Sequence, residues 1–175
     1  MRLAVTAVGI SGMGVAQILD SGTVSTIAST IQNVEGYYPG SLAYTNNNPG
    51  NLVYVGQPGA SPGAGGFAKF PSYQDGLNAL HNQIQIYASR GMTIQQMMDV
   101  YAPASAGNDP AKYANTIATA LGVPSDTSLT DLPLLPSENV PSMDMNVNPV
   151  SGDVNWPLVG LIAAAALLAM VSIGD

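Results

Sequence analysis

A proline-rich segment near the C-terminus limits where this chain can form a compact domain. Six prolines lie between Pro124 and Pro157, separated by serine, aspartate and asparagine. Proline lacks the backbone N–H that helices and central strands need, so this composition cannot sustain either element. We therefore predict an extended linker over residues 124–157 and one folded domain over residues 21–123, within the usual domain size of about 100–150 residues.

The segment after the linker, from Leu158 to Ile173 (residues 158–173), is apolar and carries no charge. A membrane-spanning helix needs about 17–25 residues, a length that this segment reaches when Trp156 and Pro157 are included. Tryptophan also suits the headgroup boundary of a bilayer. We predict a C-terminal transmembrane helix, with a buried hairpin helix as the alternative. Lysine or arginine next to a span indicates how it is oriented in the membrane. Neither residue flanks this segment, so no orientation is predicted.

Residues 1–20 form a second apolar segment, in which Arg2 precedes a run rich in small residues. Its length lies between that of a signal peptide and that of a spanning helix, and no clear cleavage site follows. Three interpretations stay open: an uncleaved signal-anchor, a cleaved signal peptide, and a helix packed in a protein interface.

Composition excludes several classes of partner. Charged residues make up 9% of the 175-residue chain, against about 25% in ordinary soluble domains, and the net charge is -7. Lys69, Arg90 and Lys112 stand singly, whereas nucleic-acid binding needs clustered cations, so no nucleic-acid partner is expected. The chain has no cysteine, and its one histidine, His81, lacks evident partners. No metal site and no cofactor are therefore expected.

Apolar residues at three- and four-residue spacing predict a mainly α domain. The first helix is expected to begin at Ser21 and to end at Glu35, where Gly36 can stop it. Its expected buried side contains Val24, Ile27, Ala28, Ile31 and Val34. Further helices are predicted at residues 72–89, 93–101 and 110–121, with Thr93 and Asp109 as caps.

The segment between the first two long helices, residues 37–71, is dense in glycine, proline, asparagine and serine. A loop of this length within a compact domain is usually functional. We expect it to form a cleft wall, with a small β-hairpin built from residues 51–55 and 66–70.

Glu35 is the candidate catalytic residue, because the only other glutamate, Glu138, falls in the predicted linker. A carboxylate at a helix C-terminus is disfavoured as an anion, which raises the pKa as a proton donor requires. The following Tyr37 and Tyr38 are candidates for stacking on a sugar, and the amide-rich turn at residues 46–51 suits a neutral polymer. The alternatives are a solvated carboxylate, tyrosines packed in the core, and asparagines chosen for turn geometry alone.

Several short motifs follow one another along the chain. They are the Glu-Gly that ends the first helix, NNNPGNL at residues 46–52, GFAKFPSYQDGLNAL at 66–80, YAP at 101–103 and AKYANTIATALGV at 111–123. With these motifs in this order, the chain resembles the lysozyme-like lytic transglycosylase and muramidase domains of phage and bacterial genomes, over about residues 25–123. Family members are often described as phage structural proteins, so the resemblance implies a virion-borne enzyme.

The resemblance implies that Glu35 is the general acid for the bond between N-acetylmuramic acid and N-acetylglucosamine. It also implies that the turn carrying Asn48 and Asn51 shapes the cleft floor, and that Tyr101 and Tyr113 face the cleft. The family works with a single glutamate, so that the substrate's own N-acetyl or 6-hydroxyl group replaces a second carboxylate. Lyase and hydrolase products both stay open.

The expected function is therefore peptidoglycan cleavage by a domain anchored in a virion membrane or a cell-envelope membrane. Its expected partners are the glycan strand, the membrane through residues 158–173, and other virion proteins. Two alternatives stay open: a non-catalytic structural protein of a virion, and a sugar-binding module without turnover.

Overall fold

The computed structural model describes residues 18–135, and this part of the chain is mainly helical, as predicted. Two short strands, β1 (Ser61–Pro62) and β2 (Ala68–Lys69), form an antiparallel pair. The helices are α1 (Ser21–Glu35), α2 (Leu42–Thr45), α3 (Tyr73–Ser89), α4 (Ile94–Tyr101) and α5 (Pro110–Leu121).

Side-chain caps set where the long helices begin. Thr93 and Gln96 form a reciprocal capping box at the start of α4, and Asp109 accepts a hydrogen bond from the Lys112 N–H at 3.0 Å in α5. Each cap satisfies a backbone donor that has no partner within the helix. The predicted caps of α4 and α5 are thus confirmed, with Pro110 as the first residue of α5.

The core lies where α1 packs against α3 and α5, and α5 against α4. The buried stripe of α1 was expected to end on Val34, and this expectation was wrong. Val34 is 37% exposed, whereas Glu35 is 6% exposed. Residues three or four positions apart both lie on one face of a helix, so either Val34 or Glu35 can follow Ile31 on the buried side. In this helix the buried residue is Glu35, four positions after Ile31. The final inward-facing residue of α1 is therefore a carboxylic acid.

The predicted hairpin is present in part. Val53 forms an isolated antiparallel bridge with Phe67, and the Ala68 N–H donates to the Leu52 carbonyl at 2.8 Å. The regular ladder, however, pairs β2 with β1, a segment outside the predicted hairpin. The loop over residues 51–70 thus brings three stretches of chain side by side.

The predicted linker begins too early in the sequence. Leu129 is fully buried and lies in a 3₁₀ turn, Leu129–Asp131, that packs on α3. Its N–H donates to the Met92 carbonyl at 2.9 Å. Residues 124–135 therefore belong to the domain, because their leucines fill the core between the prolines.

The N-terminal boundary of the domain also lies earlier than predicted. Leu19 is fully buried and bridges to Leu134, and the Asp20 N–H donates to the Pro133 carbonyl at 3.0 Å. A proline can still accept a hydrogen bond through its carbonyl, which is how this part of the chain pairs without a donor from Pro133. The described domain runs from residue 18 to residue 135.

Within residues 18–135, no helix has both the length and the apolar character needed to cross a bilayer. The transmembrane helix expected at residues 158–173 lies outside the described residues, as do residues 1–17 and the remainder of the predicted linker.

The asparagine-rich turn rests directly on the backbone of α3. A Cβ added at Gly76 would lie 1.9 Å from the Asn47 carbonyl oxygen and 3.0 Å from Pro49 Cδ. Only a residue without a side chain permits this approach. Gly76 therefore sets the distance between α3 and the turn.

We expect Gly76→Ala to destabilise the domain by about 1–3 kcal/mol or more, because an overpacked contact must push the turn away from α3. Alanine favours helix formation over glycine, so helix propensity acts in the opposite direction. Urea unfolding monitored by circular dichroism measures the difference.

Gly22→Ala is the matched control, since this helical glycine has only Asp20 Oδ1 near, at 3.4 Å. We expect that variant to change the free energy of unfolding by less than about 1 kcal/mol. Equal effects of the two substitutions would show that the contact at Gly76 is not restrictive.

Candidate active site around Glu35

The asparagine turn is shaped by side chains that bond to the backbone. Asn48 is fully buried, and its Nδ2 donates to the carbonyls of Leu52 and Ala68, both at 2.8 Å. Its Oδ1 accepts from the Leu52 N–H at 2.9 Å. Because these bonds engage both ends of its amide, Asn48 holds the turn together instead of facing a ligand. The predicted role of Asn48 in substrate binding is replaced by this structural one.

The two preceding asparagines also bind backbone groups. Asn46 Nδ2 donates to the Ala64 carbonyl at 3.1 Å, and Asn47 Nδ2 donates to the Phe70 carbonyl at 3.1 Å. Asn47 has a φ of 50°, the left-handed region that asparagine tolerates better than most residues. The turn chemistry considered from the sequence thus accounts for Asn46, Asn47 and Asn48.

Asn51 is the asparagine that reaches the acid. It has a φ of 45°, and its buried Nδ2 donates to Glu35 Oε2 at 3.2 Å. The residue before it, Gly50, is packed tightly, since a Cβ there would lie 2.8 Å from Leu80 Cδ1 and from the Tyr101 hydroxyl oxygen. The Tyr101 hydroxyl donates to the Gly50 carbonyl and so fastens the turn next to Glu35.

Glu35 lies at the end of α1, with its carboxyl group turned inward. Burial raises its pKa to about 7, and the hydrogen bond from Asn51 opposes this shift. Glu35 Oε1 and Asn51 Oδ1 are both buried and have no hydrogen-bond partner in the structure. Buried polar atoms are normally satisfied, so two orphaned atoms in adjacent side chains indicate a position for a bound polar group.

Two phenol groups complete the surroundings of the acid. Burial raises the pKa of Tyr101 well above its usual value, and the charge of Glu35 adds to this shift. Burial also raises the pKa of the half-buried Tyr113 to about 12, again with a contribution from Glu35. Both tyrosines are therefore neutral at physiological pH. The structure brings together Glu35, Asn51, Tyr101 and Tyr113 from α1, the turn, α4 and α5.

No second carboxylate is electrostatically coupled to Glu35 within the described part of the chain. The groups that shift its pKa are its buried surroundings and Asn51. Other acids have local partners: Asp109 caps α5, Asp75 Oδ2 accepts from the Ser72 hydroxyl at 2.6 Å, and Asp99 Oδ1 accepts from Gln95 Nε2 at 2.8 Å. Residues 18–135 contain no group of three or more metal-ligating side chains close enough to hold an ion.

The remaining predicted residues, Tyr37 and Tyr38, lie at the surface just beyond α1. Tyr37 is in contact with the rings of Tyr44 and Tyr73, with centroids 5.3 and 5.2 Å away. Tyr38 is 58% exposed. Tyr44 and Tyr73 were not among the predicted residues, because the sequence gives no signal that their rings meet that of Tyr37.

Comparisons of this chain with protein-family models, with curated proteins and with solved structures find no match in any of the three.

We expect the stability of the domain to fall as the pH rises from about 4.5 through about 7. The pKa of Glu35 is raised from 4.5 to about 7 in the folded state, so the folded protein binds the extra proton across this window. This stabilisation is fully present below about pH 4.5 and is lost above about pH 7. The free energy of unfolding then falls by about 3 kcal/mol at most. Urea unfolding at pH 5 and pH 8 measures this loss.

Glu35→Gln should remove this pH dependence and make the domain more stable than the wild type at pH 8. The exposed Asp126 offers a control, since Asp126→Asn should leave the pH dependence as it is in the wild type. Burial lowers the pKa of His81, so His81 adds stability as the pH rises through the same window. The test is therefore the difference between the wild type and Glu35→Gln, and a difference that is the same at pH 5 and pH 8 would contradict the burial of an ionisable group here.

Asn51→Gly should raise the pKa of Glu35 above about 7, because it removes the hydrogen bond that stabilises the anion. Glycine keeps the left-handed backbone at this position without strain. Selective ¹³C labelling of glutamate makes the titration observable, since the chain has only Glu35 and Glu138. An unchanged or lowered midpoint would show that the Asn51 amide does not act on the carboxylate.

Proposed function

We propose that this chain cleaves the glycan strands of peptidoglycan as a lysozyme-like lytic transglycosylase or muramidase, with Glu35 as the general acid. The observation that carries the proposal is that Glu35 is buried and its pKa is raised to about 7, with no charged group of residues 18–135 among the causes of that shift. A general acid works best when its pKa is near the working pH. The family rests on the resemblance of the motifs quoted above, and the geometry supports the role proposed for Glu35.

The orphaned oxygen of Glu35 suits proton donation. The neutral acid can hold its proton on Oε1, the oxygen without a partner, and pass it to the glycosidic oxygen as the bond breaks. The negative charge that forms is then stabilised by the Asn51 amide, which already donates to Oε2 at 3.2 Å. Asn51 thus favours the product of proton transfer, and burial favours the reactant. The two effects together keep the pKa between that of a free carboxyl and that of an unpartnered buried one.

The absence of a coupled second carboxylate among residues 18–135 favours assistance by the substrate. Two-carboxylate glycosidases place their acids about 5–9.5 Å apart. Here the N-acetyl carbonyl or the 6-hydroxyl of the muramic acid residue would attack the anomeric carbon while the glycosidic oxygen takes the proton from Glu35. Attack by the 6-hydroxyl, whose proton passes to the Glu35 carboxylate left by proton donation, gives a 1,6-anhydro product. Attack by the N-acetyl group followed by water, which gives its proton to the same carboxylate, gives a hydrolysed product.

The side chains next to Glu35 suit an uncharged substrate. Tyr113 carries a neutral hydroxyl, and Asn51 Oδ1 is a buried acceptor without a partner. A carbohydrate has no charge for an ion pair and is held by such groups. In the proposed arrangement, residues 158–173 anchor the domain in a virion or cell-envelope membrane, and the chain before them lets it reach the cell wall.

Zymography on purified cell wall, with the full chain, tests the proposal. We expect the wild type to clear the gel and Glu35→Gln to lose about 10²–10⁴-fold of that rate, the usual contribution of general acid catalysis. Clearing should decline above about pH 7, where Glu35 loses its proton. Asp126→Asn, in an exposed turn, serves as the control that should clear like the wild type.

Each other result favours a different function for this protein. No clearing by any variant, with no binding to cell wall, favours the structural role in a virion. Binding that survives Glu35→Gln without clearing by the wild type favours a sugar-binding module. Equal clearing by the wild type and by Glu35→Gln would remove Glu35 from the mechanism.

A further inference from the structure

Exposed tyrosines gather at one place on the described surface. Tyr38, Tyr44 and Tyr73 are 58%, 45% and 37% exposed, and Tyr37 lies in contact with two of them. We call these four residues the tyrosine platform. Soluble proteins seldom leave large contiguous aromatic surfaces in water unless they bind something there.

Tyr37 is the central ring of the platform. Its plane is tilted by 50° from that of Tyr44 and by 52° from that of Tyr73. Tilted pairs at this separation are a favourable arrangement of aromatic rings. The rings come from three separate parts of the chain, namely the loop after α1, the short helix α2 and the first residue of α3. Their convergence is therefore a product of the fold.

Hydrogen bonds hold the platform in place before any ligand binds. The Tyr73 hydroxyl donates to Gln32 Oε1 at 2.8 Å, which ties α3 to α1. The Ser41 N–H donates to the Tyr38 carbonyl at 2.9 Å, and the Tyr38 N–H donates to Ser41 Oγ at 3.3 Å. A surface ordered in advance loses little conformational entropy when it binds a ligand.

The platform borders the end of the helix that carries the acid. A Cβ added at Gly36 would lie 3.3 Å from Tyr38 Cε1, so the Tyr38 ring packs against the residue that directly follows Glu35. Gln32, the partner of Tyr73, lies on α1 less than one turn before Glu35. A polymer bound on the rings would therefore pass the C-terminal end of α1.

The chemistry of the platform selects a neutral ligand with flat apolar faces. All four side chains are phenols, and Gln32, which accepts from the Tyr73 hydroxyl, is a neutral amide. Sugar rings combine C–H faces that stack on aromatic rings with hydroxyls that bond at the ring edge. We propose that the tyrosine platform is a sugar-binding subsite that stacks pyranose rings of the glycan strand beside Glu35. The identity of the strand rests on the proposed function, whereas sugar binding by the platform is testable without catalysis.

Co-sedimentation with purified peptidoglycan sacculi tests the subsite. The parent is the full chain carrying Glu35→Gln, which leaves the sacculi intact. Tyr44→Ser with Tyr73→Ser removes two rings, and Tyr44→Phe with Tyr73→Phe keeps the rings and removes only the hydroxyls. We expect each ring removed to weaken binding about 2- to 10-fold. The phenylalanine pair keeps the ring contacts and loses the Tyr73–Gln32 hydrogen bond, so its binding should fall less than that of the serine pair. Circular dichroism checks that the variants fold alike.

The proposed subsite would be overturned if the serine pair bound the sacculi as tightly as the parent does. Equal losses of binding in the serine pair and the phenylalanine pair would also overturn it. Zymography of the same pairs with Glu35 intact separates the two proposals. Clearing by the wild type together with unchanged binding of the serine pair retains catalysis and rejects the platform. If binding falls mainly in the serine pair and the wild type does not clear the gel either, the platform is retained and catalysis is rejected.

Discussion

The site depends on one constraint: the last inward-facing position of α1 holds a carboxyl group in place of an apolar side chain. At this position Glu35 is 6% exposed and receives one hydrogen bond, from Asn51. Burial of a carboxylate costs free energy unless the charge is paired, and here the group responds by keeping its proton to a higher pH. The same burial that lowers stability above neutral pH provides a proton donor near neutral pH.

The rest of the fold keeps this arrangement in register. Gly76 lets the asparagine turn sit on α3, Asn48 closes the turn through its own amide, and the Tyr101 hydroxyl fastens Gly50. Each contact acts on the turn, and through it on the distance between Asn51 and Glu35. In the proposed function, stability and activity are therefore opposed at Glu35, while the supporting residues serve both. This pattern is common where a fold gives up stability to retain an active group.

Much of the helical framework was predictable, because caps and periodic spacing are local properties. Thr93, Asp109 and Gly36 each mark a helix end through a hydrogen bond or a left-handed residue within a few positions. The errors arose where contacts join distant parts of the chain. Leu129 is a core residue because it meets α3, and a proline-rich composition concealed it. Asn48 and Asn51 have the same side chain, and only their surroundings separate a structural amide from one that contacts the acid.

The amino-acid order was sufficient to establish a mainly helical domain, the end of its first helix at Glu35, and a scarcity of charge from which no nucleic-acid partner is expected. These features depend on neighbours within one or two helical turns or on composition. The burial of Glu35, the orphaned oxygens beside it and the gathering of Tyr37, Tyr44 and Tyr73 emerged only from the folded chain. They depend on long-range packing of α1, the turn and α3, which brings together residues that carry no signal of one another in the sequence.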